Sequence, residues 1–272
     1  MIIHAHCKVN LFLDITGILP GGYHSILSVM HTAPIYDDVS VELAEPSRGI
    51  IAECSDASLN GSDNICHKAA AAFFESAGID GGAHIYVEKR IPQGAGLGGG
   101  SADAAAVLHG LNILCEFPLS SSQLLAVAAR VGADVPFCLS GHKCAVCEGI
   151  GEILTPIESQ LGVSDIIIHS SGAGTGVSTK EAYAIYDEME IAHSPITADE
   201  LKSWVVTRQA LGGLMYNVFE QVIFPQRPEI AAIKHSLTEQ GYSAMMSGSG
   251  SAVFAVADSH SPHPHTVQAC KN

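Results

Sequence analysis

The sequence predicts an α+β fold of two lobes with a site in the cleft between them, and three observations carry that reading. An alternating strand over 84–88 runs into a glycine-rich stretch, Ile91-Pro92-Gln93-Gly94-Ala95-Gly96-Leu97-Gly98-Gly99-Gly100-Ser101, and then into an alanine-rich helix. Around 155–162 the chain turns loop-like, which places one lobe at 1–155 and the other at 156–272. Near the end, 243–246, then Ser247-Gly248-Ser249-Gly250-Ser251, then 252–257 read as strand, glycine turn, strand. Both halves mix helix and strand, and neither repeats the other.

Taken in order, residues 8–15 read as a strand of mixed apolar and polar residues, closed by a glycine-bearing turn over 17–22. Residues 24–34 and 39–43 read as two extended pieces with Asp37-Asp38 between them. Ser62 or Asp63 would cap a helix running through 69–76, since a short polar side chain accepts from the free N–H groups of a first turn. Ser120-Ser121-Ser122 would cap another over 124–130, ahead of a turn at Gly132-Ala133-Asp134-Val135-Pro136. Strands with glycine turns fill 144–154. Beyond the break come a short buried strand over 165–169, a short helix over 179–186, and helices over 198–222 and 228–240.

Five glycines in the seven residues 94–100 remove nearly every Cβ, so this backbone reaches conformations closed to other residues and approaches a ligand closely. The segment Ala102-Asp103-Ala104-Ala105-Ala106-Val107-Leu108 is a strong helix former. Its first turn points unpaired N–H groups and a positive dipole end back at the loop. Strand, glycine loop and helix N-terminus together suit a phosphate. Gly94, Gly96 and Gly99 satisfy G-x-G-x-x-G, but a dinucleotide fold wants that pattern after the first strand with an acid about 20 residues on. Here the position falls among Leu119, Ser120 and Ser121. No Lys follows the glycines, which excludes a Walker loop, and the protein-kinase signatures H-R-D and D-F-G are absent. A flexible surface turn is the other reading of such a cluster.

At 272 residues, 47% hydrophobic and 15% charged, the chain is globular with extensive burial rather than disordered. A formal net charge of −15 argues against a general nucleic-acid surface, which needs a basic stripe. Cations facing an anionic substrate must then be placed locally. No apolar run approaches the roughly 20 residues of a membrane helix. Residues 1–6 lack the basic and apolar regions of a signal peptide. The expected location is cytoplasmic, or an organelle reached by a targeting segment outside this sequence. Cysteines at 7, 54, 66, 115, 138, 144, 147 and 270 show no disulfide rhythm. Cys144 and Cys147, with His142 nearby, would need a second ligand pair to hold zinc; the alternative is a strand using Cys as a small hydrophobe. His260, His263 and His265 read as a Pro-broken exposed tail.

Five segments resemble one family in order and spacing: Lys8-Val9-Asn10-Leu11-Phe12-Leu13, Gly21-Gly22-Tyr23-His24, the stretch from Pro92 to Ala106, Gly132-Ala133-Asp134-Val135-Pro136-Phe137, and Ser247-Gly248-Ser249-Gly250-Ser251. This is the galactokinase, homoserine kinase, mevalonate kinase and phosphomevalonate kinase superfamily, and the resemblance spans residues 8–256. The Gly-Tyr-His element and the Gly-Leu-Gly-Gly-Gly-Ser form of the loop resemble the branch acting on methylerythritol carried as a cytidine diphosphate ester, in the non-mevalonate route to isoprenoid precursors.

The resemblance implies a two-lobed kinase in which ATP lies over the glycine loop and its phosphoryl group passes to a 2-hydroxyl. ATP is expected as co-substrate and as its Mg2+ complex, the ion bridging phosphates, with no side chain assigned to the metal. Residue by residue, Asp134 matches the catalytic aspartate and Lys8 its partner. Asn10 matches a substrate-side polar residue, Tyr23 and His24 the cytosine pocket, Tyr183 a second aromatic clamp, and Thr179 a polyol or phosphate contact. Asn64 matches a residue near the adenine. Pro92, Gly94, Gly96, Leu97, Gly98, Gly99, Gly100 and Ser101 match the ATP loop, and Lys89 or Arg90 would be further nucleotide contacts. Partners are expected to be small molecules, without nucleic acid or membrane, for a monomer or homodimer. One departure stands out, Cys7 where Ala is expected; Ala102-Asp103 stands where Ser-Asn or Ala-Asp is usual.

The chemistry suits those residue types. A tertiary alcohol is a poor nucleophile, and a carboxylate within hydrogen-bond reach orients it and accepts its proton. A lysine beside both keeps the carboxylate ionised and offsets charge on the transferring group. The residues by themselves leave alternatives open. Asp134 also reads as a turn aspartate before Val-Pro, Lys8 as a solvated strand lysine, Asn10 as a cap, Gly21-Gly22-Tyr23-His24 as a structural turn, and Tyr183 as a core-facing helix residue. A related small-molecule kinase would not need Tyr23 and His24. A catalytically silent binding protein would need neither Lys8 nor Asp134.

Overall fold

β1 (Ile2–Ile18) buries every residue from Cys7 to Ile15, the pattern of a strand covered on both faces. It is longer than the eight residues expected. β2 (His24–Ala44) is one strand where two extended pieces were expected. Asp37 does not break it, because its carboxylate is fully buried against an ammonium and two backbone N–H groups. The computed structural model describes residues 1–170 and 176–257, so the histidine tail at 260–265 and Cys270 lie outside the described residues.

β3 (Ile50–Cys54) leads to α1 (Ile65–Ala77). Its cap is Asn64, whose side chain accepts from the Cys66 N–H at 2.8 Å, rather than Ser62 or Asp63. β4 (Gly82–Glu88) alternates buried and exposed side chains as its pattern predicts. α2 (Gly99–Leu114) buries every residue from Ala102 to Leu108, and a helix apolar all round belongs inside a core. α3 (Ser121–Val131) begins with the expected Ser120, here in a reciprocal capping box with Gln123. α4 (Val135–Ser140) replaces the expected turn: Pro136 sits in its first turn, where a missing N–H costs nothing.

β5 (Cys144–Glu148), β7 (Ile166–His169) and α5 (Thr179–Tyr186) follow as read, while β6 (Ile153–Pro156) carries its pairing with β5 through Thr155 and Pro156, which had read as loop. The long helix expected over 198–222 is instead α6 (Ala198–Lys202), α7 (Leu211–Leu214), the short strand β8 (Tyr216–Asn217) and α8 (Phe219–Ile223). Val205, Val206 and Thr207, then Gly212 and Gly213, interrupt helical propensity there. α9 (Pro228–Glu239), β9 (Tyr242–Met246) and β10 (Val253–Ala257) complete the described chain. Among the described residues no helix is long and apolar enough to cross a membrane.

The chain divides into two compact units whose segments interleave, unlike a single cut at 155/156. One comprises Met1–Cys7, Ile35–Ile91 and Gly98–His142, the other Lys8–Pro34, Pro92–Leu97 and Lys143–Asn272. In the first unit, β4 pairs parallel with β3 and antiparallel with β2. Phe73 and Phe74 of α1 and Leu108 and Leu111 of α2 pack with Val41, Ile85 and Val87 of that sheet in one core. In the second unit β10 lies between β7 and β9, antiparallel to both. A core of Val218, Phe219, Val222, Ile230 and Leu237 packs with Val253 and Ala255 of that sheet. There too β8 runs parallel to β1, with Phe12 opposite Tyr216.

Candidate active site

Within the second unit the glycine loop is held by its carbonyls. Gly94 accepts from the Val177 N–H at 3.0 Å, Ala95 from the Ala252 N–H at 3.1 Å and Leu97 from the Lys8 N–H at 3.0 Å. The Gly96 carbonyl accepts twice, from Lys8 Nζ and from the Ser247 hydroxyl, each at 3.0 Å. Four consecutive oxygens that would repel a phosphate are thus engaged inside the protein. Gly94 and Gly96 sit at φ +62° and +73°, in the left-handed region. A Cβ on Gly96 would stand 2.0 Å from the Ser247 carbonyl oxygen, so only glycine fits. Leu97 is buried and offers the loop its backbone alone.

Lys8 is 4% exposed, which rules out the solvated-lysine reading. A buried ammonium needs partners, and its Nζ also donates to Asn10 Oδ1 at 2.7 Å. Asn10 in turn donates to Ser28 Oγ at 2.9 Å, and Ser28 donates to the Phe12 carbonyl at 2.7 Å. This chain fixes both side chains that the sequence singled out on β1. The turn over 247–251 is braced by Asn217, whose Nδ2 donates to the carbonyls of Met246 and Gly248, both at 2.8 Å. The hydroxyls of Thr179 and Ser249 lie 3.1 Å apart.

The aromatic residues of this unit form a shelf. His24 stacks on Tyr183 with centroids 4.6 Å apart and 25° between planes, and Tyr183 rests edge-on against the buried Phe219. His24 Nε2 lies 2.7 Å from a carboxylate oxygen of Asp187. A carboxylate only accepts, so Nε2 carries the hydrogen and, in the neutral ring, Nδ1 is left as acceptor. Tyr23, after Gly21 and Gly22 at φ +100° and +83°, is 66% exposed.

In the first unit, Gly98 at φ +67° is the N-cap of α2. The first intrahelical bond runs from the Ala102 N–H to the Gly98 carbonyl, so the N–H groups of Gly99, Gly100 and Ser101 precede it. Asp134 occupies the N-cap of α4 yet its carboxylate makes no capping bond. Asn64 uses its amide as a cap and as a donor to the Leu59 carbonyl at 2.8 Å. Lys89 is turned inward onto Asp37 and Asp103, and Arg90 onto Asp38 and the Tyr36 ring. Burial pushes the Asp103 carboxyl up to about 7 against the opposing pull of Lys89. Cys144 and Cys147 are core residues of β5, and burial raises the Cys144 thiol to about 12. Among the described residues no three His, Cys, Asp or Glu side chains gather to hold a metal.

Sequence reasoning passed over Ser28, Asp37, Asp103, Asp187 and Ser247 as site residues. Asp103 carried a signal, a lone charge inside an alanine run. Asp187 carried none.

The site thus joins a glycine loop leading into a helix N-terminus to a buried lysine at one of the loop's carbonyls, and the family matches make the chain a GHMP kinase. Profiles described as "GHMP kinases N terminal domain" and "GHMP kinases C terminal" match residues 64–142 and 200–269. A 4-diphosphocytidyl-2-C-methyl-D-erythritol kinase of Desulfitobacterium hafniense (strain Y51) is 41% identical over 255 residues, 93% of this chain and 85% of that relative. A crystal structure of 4-(cytidine 5'-diphospho)-2C-methyl-D-erythritol kinase matches with a TM-score of 0.75 at 31% identity, covering 96% of this chain and 91% of its own. A mevalonate kinase structure, with a TM-score of 0.67, 15% identity and coverage of 95% and 91%, shares the fold alone. The chain belongs to the 4-diphosphocytidyl-2-C-methyl-D-erythritol kinase family.

Proposed function

We propose that this protein transfers the γ-phosphoryl group of ATP to the 2-hydroxyl of 4-(cytidine 5'-diphospho)-2-C-methyl-D-erythritol, in the non-mevalonate route to isoprenoid precursors. The observation that carries the reading is the buried Lys8 ammonium held at the Gly96 carbonyl of the glycine loop. In the reaction an oxygen–phosphorus bond forms at the alcohol, the bond from Pγ to the bridging oxygen breaks, and ADP leaves. Asp134 accepts the hydroxyl proton, and Lys8 offsets the negative charge that builds on the transferring group. The N–H groups of Gly99, Gly100 and Ser101 hold phosphate oxygens, as a helix N-terminus does. Magnesium would arrive as the ATP complex and would offset phosphate charge, and no residue of this chain is assigned to it. Asn10 and Thr179 face the polyol. The reading carries a cytoplasmic location and small-molecule partners only. Mixing the protein with Mg-ATP and a panel of alcohols should release ADP with the cytidine diphosphate ester and not with homoserine, mevalonate or galactose. Comparable turnover of mevalonate would overturn the substrate while leaving the fold intact.

The base pocket makes a second expectation. Tyr23 and Tyr183 present faces for the cytosine, and Nδ1 of His24 is poised to accept from its exocyclic amino group. Uracil has a carbonyl oxygen at that edge, which gives an acceptor no hydrogen. Tyr23→Ala should weaken all pyrimidine substrates by roughly 1–3 kcal/mol, the range for a lost aromatic–base stack, while Tyr23→Phe loses little. His24→Ala should erode the preference for cytidine over uridine esters, because a site built to hydrogen-bond rejects an edge that leaves its groups unpaired. A competition assay reads both effects. An unchanged preference in His24→Ala would make Gly21-Gly22-Tyr23-His24 a structural turn and move the search to Tyr183.

A further inference from the structure

The first unit buries three ionisable side chains for which the phosphoryl transfer gives no role. The side chains of Asp37 on β2, Asp103 on α2 and Lys89 just after β4 are 0%, 5% and 11% exposed. Lys89 Nζ donates to Asp37 Oδ2 at 2.5 Å and to Asp103 Oδ2 at 2.6 Å. The other oxygen of Asp37 accepts the N–H groups of Arg90 and, at 2.8 Å, Ile91. These are the residues that lead into the glycine loop. On the far side of the loop, Lys89 Nζ stands 3.6 Å from where a Cβ on Gly99 would be, and Asp103 lies one turn further along α2. One ammonium therefore ties the entering arm of the loop to the helix that leaves it.

Stability alone is a weak reason for such a cluster. Buried ion pairs lose so much hydration that well-packed apolar replacements often match them. This cluster is also unbalanced, with two carboxylates on one ammonium, and Asp103 Oδ1 has no hydrogen-bond partner among the described residues. What the arrangement supplies that apolar packing does not is a fixed distance between two segments, set by bonds of defined length and direction.

We propose that Lys89, Asp37 and Asp103 are positioning residues for the phosphoryl donor, holding the two ends of the glycine loop at the separation its phosphates require. The proposal rests on the reading of that loop as the ATP cradle. It gives Lys89 a place in nucleotide binding without contact to the nucleotide.

The test compares Lys89→Met, Asp103→Asn and the double variant by steady-state kinetics, calorimetry with Mg-ATP and thermal melting. Lys89→Met should raise the KM for ATP about tenfold or more, keep the KM for the alcohol substrate within about twofold, and lower Tm because two buried carboxylates lose their cation. The double variant removes the ammonium together with one of the two carboxyl groups it serves, so Tm should return toward wild type. Its KM for ATP should stay raised, because the tether is still cut. Recovery of ATP KM together with Tm in the double variant would make the cluster merely structural and overturn the proposal. So would an unchanged ATP KM in Lys89→Met. Gly98→Val separates the two readings, since a branched Cβ in a left-handed position of the loop distorts the cradle itself. ATP affinity lost in Gly98→Val but kept in Lys89→Met sinks the positioning role alone, whereas affinity kept in Gly98→Val sinks the cradle.

Discussion

Asp134→Asn is expected to lower turnover by about 10²-fold or more, the usual scale for a lost general base, with ATP affinity and Tm close to wild type. The amide keeps the size of the side chain but cannot take the proton from a tertiary alcohol. The exchange removes no capping bond from α4, since the Asp134 side chain does not cap that helix. Lys8→Ala should cost turnover on a similar scale. It should also lower Tm, since Asn10 and the Gly96 carbonyl both lose a buried donor. Kinetics with saturating ATP, run beside melting curves, separate the two effects. Near-normal turnover in Asp134→Asn would return that residue to the role of a turn aspartate.

Gly96→Ala should abolish measurable ATP binding and destabilise the second unit by a few kcal/mol, the sum of a left-handed backbone strained by a side chain and an overpacked contact. The added carbon would meet backbone on two sides, 2.0 Å from the Ser247 carbonyl oxygen and 3.1 Å from the Gly250 nitrogen, so no rotamer relieves it. Gly100→Ala is the stability control. Its φ lies outside the left-handed region, and its Cβ would make only an ordinary 3.5 Å contact with Ile65. That variant should melt within a few degrees of wild type. Equal melting of the two would mean that the loop yields at Gly96, and that the carbonyl contacts with Lys8 and Ser247 do not fix its shape.

Local signals decided which parts of this molecule were legible beforehand. The glycine loop, the helix over 179–186 and the hairpin around 247–251 announce themselves through residue types that act on their own backbone. The residues 198–222 read as one helix. Their split into two helices, a two-residue strand beside β1 and a third helix depends on a pairing, Phe12 with Tyr216, that no local window contains. Asp37-Asp38 looked like a break in a strand for the same reason: the ammonium that neutralises Asp37 comes from a residue 52 positions away. Asp134 read as a turn because Pro136 follows it, and Pro in a first turn starts a helix as readily as it ends one. At the site, Lys8 and Asn10 were visible as polar residues in an apolar strand. Asp187 and Ser247 acquire meaning only through partners far along the chain, His24 and Gly96.

Where the phosphoryl group goes is read directly by 31P NMR of the reaction mixture. With Mg-ATP and 4-(cytidine 5'-diphospho)-2-C-methyl-D-erythritol, the γ-phosphate signal of ATP should decline. One new phosphomonoester signal should grow in step with ADP, assigned to the 2-position of the polyol, while the diphosphate bridge to cytidine stays intact. ATP consumed with only inorganic phosphate appearing, or a phosphoester formed at another hydroxyl, would contradict the account.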